Sequence, residues 1–347
     1  MRSTRLLAAA TAAALALALS ACGSESESGD TEAGASGGDS SAAFPVTIEH
    51  AFGKTTIEKK PERVATVAWS NHEVPLALGV VPVGMSKATW GDDDNDGVLP
   101  WVEEQLKELD AETPVLFDET EGIDFEAVAD TAPDVIFAAY SGLTKDDYDT
   151  LTKIAPVVAY PEVAWATTWE QMITMESQAL GLAEEGEELI ADLDAQVEES
   201  YAAQPALAGK SIMFAFLDPK DLSQIGFYTS HDTRQGFMLA AGMTNPAIVE
   251  EESAKTEEFY VTRSAEDAEA FADVDVFATY GDPDGDLIEQ LQADPLLSKI
   301  PAIKRGSIAI LEESTPLAAS ANPSPLSIGW GVDEYFELLG AAAAKAE

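Results

Sequence analysis

Residues 168–203 carry no strand signal, and that gap constrains the fold more than any other feature of the chain. Trp169, Met172, Ile173 and Leu180, then Leu189, Ile190, Leu193, Val197 and Tyr201, keep helical spacing, with Gly181 and Gly186 as the expected interruptions. On both sides of the gap, short apolar runs bounded by Pro or Gly alternate with helical patterns. Before it the runs fall at 64–68, 80–85, 114–117, 135–139 and 157–159, with a helix expected over 101–109; after it they fall at 211–217, 274–279 and 307–311. Strands alternating with helices give α/β units on a mostly parallel sheet. A single doubly wound domain with a helical insertion is one solution. Two α/β lobes joined by a long helical segment, with a ligand cleft between them, explain the order better: 44–167, the connecting 168–203, and 204–347. The 304 residues from Phe44 onward suit two domains.

The residues before Phe44 are of another kind. Arg2 and Arg5 precede an apolar run over 6–19, and small residues lead to Leu19-Ser20-Ala21-Cys22. A basic start, an apolar core and a small-residue cleavage site make residues 1–21 a secretory signal. A run of fourteen residues is too short to span a bilayer core of roughly 30 Å as a helix. Leu-Ser-Ala-Cys is also a lipobox pattern, so Cys22 is expected to carry a lipid and to anchor the exported chain to the outer face of the cell membrane. The other reading is a soluble secreted protein with a stray cysteine. Two acyl chains at ~0.8 kcal/mol per buried methylene are the usual minimum for stable anchoring. Cys22 is the only cysteine, so no disulfide can form within the chain. After Cys22, residues 23–43 are almost entirely Gly, Ser, Ala, Glu and Asp. Such a stretch cannot bury enough apolar surface to fold, and 22–43 is expected to be a disordered linker reaching ~25 Å.

Without residues 1–21 the chain holds 17 Lys and Arg against 63 Asp and Glu, a formal charge of −46. That field repels nucleic acid and anionic membrane surfaces, which excludes both as general partners. The inventory of reactive groups also argues against an enzyme. There is no Gly-x-Ser-x-Gly elbow, no phosphate-binding Gly-x-x-x-x-Gly-Lys-Ser/Thr loop and no Gly-x-Gly-x-x-Gly fingerprint. The three histidines, His50, His72 and His231, have no metal-ligand spacing, and a zinc site would need all of them.

One motif matches a metal pattern. Asp92-Asp93-Asp94-Asn95-Asp96-Gly97 with Glu103 satisfies the calcium-loop spacing, which puts oxygens of Asp92, Asp94, Asp96 and Glu103 around a hard cation. The segment before it reads as strand and loop, not as an entering helix, so a solvated acidic loop is the competing reading.

Aromatic residues cluster in a more telling way. In open α/β sheets ligands bind beyond the carboxyl ends of the strands. Trp69, Trp90, Tyr140, Trp165 and Tyr280 each stand just past an expected strand, which suggests an aromatic-lined cleft. Arg234 is the arginine best placed to meet an anion there, with pairing to a neighbouring carboxylate as the alternative. Arg63 and Arg305 read as structural or solvated.

Several stretches resemble the siderophore-binding proteins of the periplasmic-binding type. They are Pro61-Glu62-Arg63-Val64, Leu76-Ala77-Leu78-Gly79-Val80-Val81-Pro82-Val83-Gly84, Ile123-Asp124-Phe125-Glu126 and Ala132-Pro133-Asp134-Val135-Ile136. Tyr140-Ser141-Gly142-Leu143-Thr144, residues 151–158 and Pro323-Ser324-Pro325-Leu326-Ser327-Ile328 are similar to an actinobacterial iron–siderophore subfamily. The resemblance covers everything from Phe44 onward. It implies two lobes joined by a rigid helix, a ferric siderophore in the cleft with no resident cofactor, and a monomer that delivers its cargo to the permease subunits of an ABC importer. It also implies docking through one carboxylate per lobe, Glu126 and Glu266, with Asp267 as the neighbour in register. Relatives bind hydroxamates, catecholates, citrate, haem or cobalamin, so haem or cobalamin binding on the same fold is one alternative; a cell-surface hydrolase is another. The shortage of local cations favours a hydroxamate.

Overall fold

The computed structural model describes residues 44–346. The expectations for the signal, Cys22 and the linker lie outside the described residues. The chain enters through a hairpin, β1 (Val46–His50) and β2 (Gly53–Ile57), paired antiparallel. Its alternating burial, with Ile48 and Ile57 inward and Glu49 and Lys54 outward, is what one solvated face demands. The sequence reading passed over this hairpin.

The first sheet follows with β3 (Val64–Thr66), α1 (Glu73–Ala77), β4 (Gly84–Ser86), α2 (Pro100–Glu108), β5 (Val115–Phe117), α3 (Phe125–Asp130), β6 (Val135–Ala138), α4 (Lys145–Leu151) and β7 (Val157–Ala159). The strand order is β5-β4-β3-β6-β7, all parallel. β4 is shorter than the run 80–85. Gly79 turns at φ +77° and the Val80 amide bonds to the Pro75 carbonyl, so residues 80–82 close the end of α1 instead of joining the ladder.

Two helices then fill the strand-free gap, α5 (Trp169–Leu180) and α6 (Ala183–Ala202). Thr168 and Gln171 close a capping box at the start of α5, and Gly181 ends it in the left-handed region at φ +71°. Gly186 does not interrupt the second helix, contrary to expectation. It lies buried inside α6, where a Cβ would sit 2.2 Å from Ser177 Oγ, so its role is close packing of α6 on α5.

The second sheet contains β8 (Ile212–Phe216), β9 (Gln224–Tyr228), α7 (Thr233–Ala240), α8 (Ala247–Ser253), β10 (Tyr260–Ser264), β11 (Val276–Gly281), α9 (Leu287–Ala293), α10 (Pro301–Arg305) and β12 (Ile308–Glu312). Its order is β10-β9-β8-β11-β12; β8, β11 and β12 are parallel, whereas β9 runs antiparallel to both neighbours. The chain closes with α11 (Pro316–Ser320) and α12 (Pro325–Ala343).

The two sheets do not have isolated cores. One apolar cluster runs from Val64 and Phe137 through Ile173 and Leu193 of the connecting helices to Phe214, Leu311 and Phe336. The last helix crosses back as well, packing on α6 and also on α1 and α2 of the first lobe. Buried Glu73 of α1 holds its start: Ser324 Oγ (2.5 Å), the Leu326 amide (3.0 Å) and Trp101 Nε1 (2.9 Å) all donate to the carboxylate. A negative group at a helix N-terminus is favourable in its own right.

Candidate functional site

At the carboxyl end of β3 the backbone makes a tight turn, with Ala68 and Ser70 both in the left-handed region. Asn71 fixes this turn to the end of β6. Its Nδ2 donates to the Val67 carbonyl (2.8 Å) and the Tyr140 carbonyl (2.9 Å), and its Oδ1 accepts from the Tyr140 amide (2.9 Å). The turn and the strand end thereby present Trp69 and Tyr140 together. Trp165 reaches them from the loop after β7: its amide donates to the Ser141 carbonyl at 3.0 Å, and its ring stands edge-on to Tyr140 at 5.3 Å. The absence of a side chain at Gly142 makes room, since a Cβ there would lie 2.2 Å from Trp165 Nε1.

Trp90 comes from the connection after β4 and meets Tyr280 of β11 edge-on at 5.3 Å, a contact between the lobes. Gly91, at φ +81°, lets this segment close on α11; a Cβ would meet Ala319 Cβ at 2.4 Å. The second-lobe wall is completed by the start of α7. Asp232 caps that helix, accepting from the Arg234 amide at 2.9 Å, and Arg234 Nη1 donates to both Asp232 oxygens at 2.7 and 3.0 Å. Arg234 Nε donates to the Tyr280 hydroxyl at 3.1 Å, and the guanidinium lies 4.6 Å over the Tyr228 ring. Burial raises the Asp232 carboxyl, an effect that Arg234 opposes. Burial also pushes the Tyr280 hydroxyl up to about 12, so it stays protonated.

Trp69, Trp90, Tyr140, Trp165, Arg234 and Tyr280 line one cavity of about 280 Å3, with Asp232, Phe259, Ala319 and Asn322. The structure thus gathers all six cleft residues singled out from the sequence. The sequence reading missed Phe259 and Asn322. Phe259 precedes an edge strand that has no apolar run to announce it, and Asn322 is brought in only because α11 folds back. For Arg234 the competing reading, pairing to a neighbouring carboxylate, is the one observed.

Beside the cavity, three hydroxyl and amide groups are bonded together across the lobes. Asn322 Nδ2 donates to the Tyr140 hydroxyl (3.0 Å), Thr233 Oγ1 donates to Asn322 Oδ1 (2.6 Å), and the Tyr140 hydroxyl is 3.3 Å from Thr233 Oγ1.

Other candidates lie elsewhere. Asp92, Asp94 and Asp96 converge, each offering an oxygen within 4.8 Å of the others; Glu103, in the first turn of α2, stands outside that group. The loop's own amides already use these carboxylates. Asp92 accepts from Asp94, Asn95 and Gly97, Asp94 from Asp96, and Asp96 from Val98. Glu126 is exposed in the first turn of α3, capped by Asp124, and Glu266 is exposed in the first turn of a 3-10 stretch (Ala265–Phe271) capped by Ser264. Each follows the third strand of its sheet in sequence order. Arg63 donates to the carbonyls of Ala132 and Thr131, and Arg305 to that of Asp275, so both serve the fold.

A family model described as "Periplasmic binding protein" matches residues 64–315. Among solved structures, PiaA of Streptococcus pneumoniae in complex with ferrichrome is 46% identical with a TM-score of 0.82, covering 87% of this chain and 99% of that one. Among curated proteins, the probable siderophore-binding lipoprotein YfiY of Bacillus subtilis is 30% identical over 166 residues. That match takes in 48% of this chain and 47% of YfiY, so the chain spans about half the length of this relative. The Fe(3+)-citrate-binding protein YfmC of Bacillus subtilis is 23% identical over 280 residues, covering 80% of this chain and 82% of YfmC.

Proposed function

The chain belongs to the periplasmic binding protein family, and from that premise we propose that it is a non-enzymatic receptor that captures a ferric hydroxamate siderophore for an ABC importer. One observation carries the choice of ligand: Arg234, the one arginine among the described residues that line the cavity, already neutralises Asp232 and bonds to Tyr280. A triply charged ferric catecholate or a ferric citrate must recover its lost hydration from convergent cations. Arg234 with Asp232 offers close to zero net charge. A ferric trihydroxamate is neutral at its metal centre and needs mainly aromatic area and a few hydrogen bonds, which Trp69, Trp90, Tyr140, Trp165 and Tyr280 provide. The siderophore itself fills the coordination sphere of the iron, so no protein ligand is required. Ferrichrome, the ligand in the PiaA complex, is such a trihydroxamate.

Anchoring through a lipid on Cys22 and docking through Glu126 and Glu266 complete the proposal. The lipobox supports the first. The second is supported by the exposure of both carboxylates and by their equivalent places in the two lobes. Tryptophan-quenching titrations at matched ionic strength test the ligand. Ferrichrome is expected to bind more tightly than ferric enterobactin or ferric citrate, and tighter binding of either anionic complex defeats the assignment.

A further inference from the structure

A second cavity of about 410 Å3 adjoins the aromatic one, and the two share Trp69 and Trp165. Its walls are more polar, with Ser86, Lys87, Glu119, Thr120 and Ser141 among them. The chain order explains how an acid comes to stand there. β5 ends on the fully buried Phe117, and Glu119 follows at the carboxyl end of this edge strand. Its side chain turns back across the sheet, where Oε2 accepts from the Ala68 amide (2.9 Å) and from Ser86 Oγ (3.0 Å). Glu119 therefore ties together the ends of β3, β4 and β5 at the mouth of the cleft.

This carboxylate is only half satisfied. A carboxylate has about four acceptor sites; here one oxygen takes two bonds, while Oε1 is buried and has no partner. Among the described residues, no Lys or Arg nitrogen forms an ion pair with it within 4.0 Å. Lys87 lines the same cavity but lays its stem on the acidic loop: a Cβ on Gly97 would lie 2.7 Å from Lys87 Cγ. Three acids line the joined cavities, and one of them, Asp147, is taken up by the start of α4, where it accepts from the Thr144 amide (3.0 Å) and hydroxyl (2.6 Å). The other two differ. Asp232 has its arginine, and Glu119 has no counter-ion. Burial pushes the Glu119 carboxyl above its ordinary range, with Ser86 and Ala68 opposing.

We propose that this side chamber receives a cationic substituent of the ligand, an ammonium borne on the hydroxamate scaffold, with Glu119 as its counter-ion. The inference deepens the ferric-hydroxamate reading and rests on it. A donor that also brings charge satisfies a buried carboxylate better than a neutral one. The faces of Trp69 and Trp165, shared by the two chambers, are themselves favourable to a cation.

Ferrioxamine B, which carries a free ammonium, and its N-acetyl derivative, in which that charge is removed, are titrated into the full chain and into Glu119→Gln by tryptophan quenching. The wild type is expected to prefer the ammonium form by at least about tenfold, the scale of one hydrogen bond to a charged group. In Glu119→Gln the ratio of the two affinities is expected to fall to about one. Equal affinities in the wild type overturn the inference without any variant having to fold, and so does a preference that survives in Glu119→Gln. If ferrichrome binds while the two ferrioxamines are not distinguished, only the side chamber falls. If no hydroxamate quenches, the ligand assignment falls with it.

Discussion

The two lobes arrange five strands in the same order and differ in the direction of one of them. In each sheet the first strand in sequence is central, the second and third lie to one side, and the fourth and fifth to the other. In the first lobe every connection between successive strands carries a helix, and all five strands are parallel. In the second lobe β8 and β9 are joined by residues 217–223 alone, too short for a crossover, so β9 must return antiparallel. The consequence reaches the cavity. The first lobe contributes Trp69, Trp90, Tyr140 and Trp165, all from segments that follow a strand's carboxyl end. The second lobe contributes Tyr280 from within the last residues of β11 itself, one residue short of the strand end and not past it as the sequence suggested, while Asp232 and Arg234 open a helix and Phe259 precedes a strand. Aromatic area comes mainly from the regular lobe, and fixed charge at the aromatic cavity comes from the irregular one.

Docking gives the largest expected effect and treats the lobes as equals. Charge reversal at both Glu126 and Glu266 is expected to abolish uptake in cells while ligand affinity in solution stays within about twofold, because both carboxylates are exposed and outside the cavity. Each single reversal should impair uptake. Normal uptake by the double variant, or dependence on one lobe only, breaks the equivalence.

A smaller effect sharpens the boundary between the lobes. Burial pushes Glu73 up to about 7 against the pull of Ser324, Trp101 and Leu326, while burial lowers its neighbour His72 to about 4. A raised carboxyl binds its proton more tightly in the folded state. Its contribution is therefore complete below the unfolded value near 4.5 and is lost as pH rises through 7, a fall of about 3 kcal/mol. His72 has the opposite sign: its contribution is present above 6.5 and is lost as pH falls through 4. The two slopes overlap, so the wild type should show little net change between pH 4.5 and 6.5 from this pair. Glu73→Gln removes the falling limb and exposes the rise from His72. Urea unfolding at several pH values measures it, and parallel stability curves for wild type and variant would show that Glu73 does not titrate in this window.

How much of this was legible depended on whether a signal was local. Strands such as β7 and β6 are short apolar runs buried on both faces, and such runs show in sequence. β10, Tyr-Val-Thr-Arg-Ser, is an edge strand with no buried residue, so it carried no run, and Phe259 beside it was lost as well. Gly186 was misread because helix propensity is a property of the isolated segment, whereas the space beside Ser177 exists only after α5 and α6 pack. The first-lobe aromatics were legible because a regular parallel sheet fixes which strand ends face the cleft. Glu119 follows the same rule, one residue beyond Asp118 at the end of β5, but among 63 acidic residues nothing in the sequence set it apart.

The smallest expected effect lies where the lobes touch. Thr233 gives its proton to Asn322, so the Tyr140 hydroxyl, 3.3 Å from Thr233 Oγ1, is left to donate to that oxygen while accepting from Asn322 Nδ2. Burial pushes the Tyr140 hydroxyl above its ordinary range, which keeps its proton in place for this ring of bonds. Tyr140→Phe keeps the aromatic wall and deletes only the hydroxyl. With the lobes together, Asn322 then loses an acceptor and Thr233 a donor; with the lobes apart, water replaces both. The substitution therefore costs the closed arrangement about 1 kcal/mol, which is about fivefold in affinity for a ligand held between the lobes. Quenching titration with ferrichrome measures the loss, and solution scattering of the unliganded variant should show a larger radius of gyration than the wild type. Unchanged affinity together with an unchanged scattering profile would mean that the shared apolar cluster alone holds the lobes, and that the ring only orients Tyr140 in the wall.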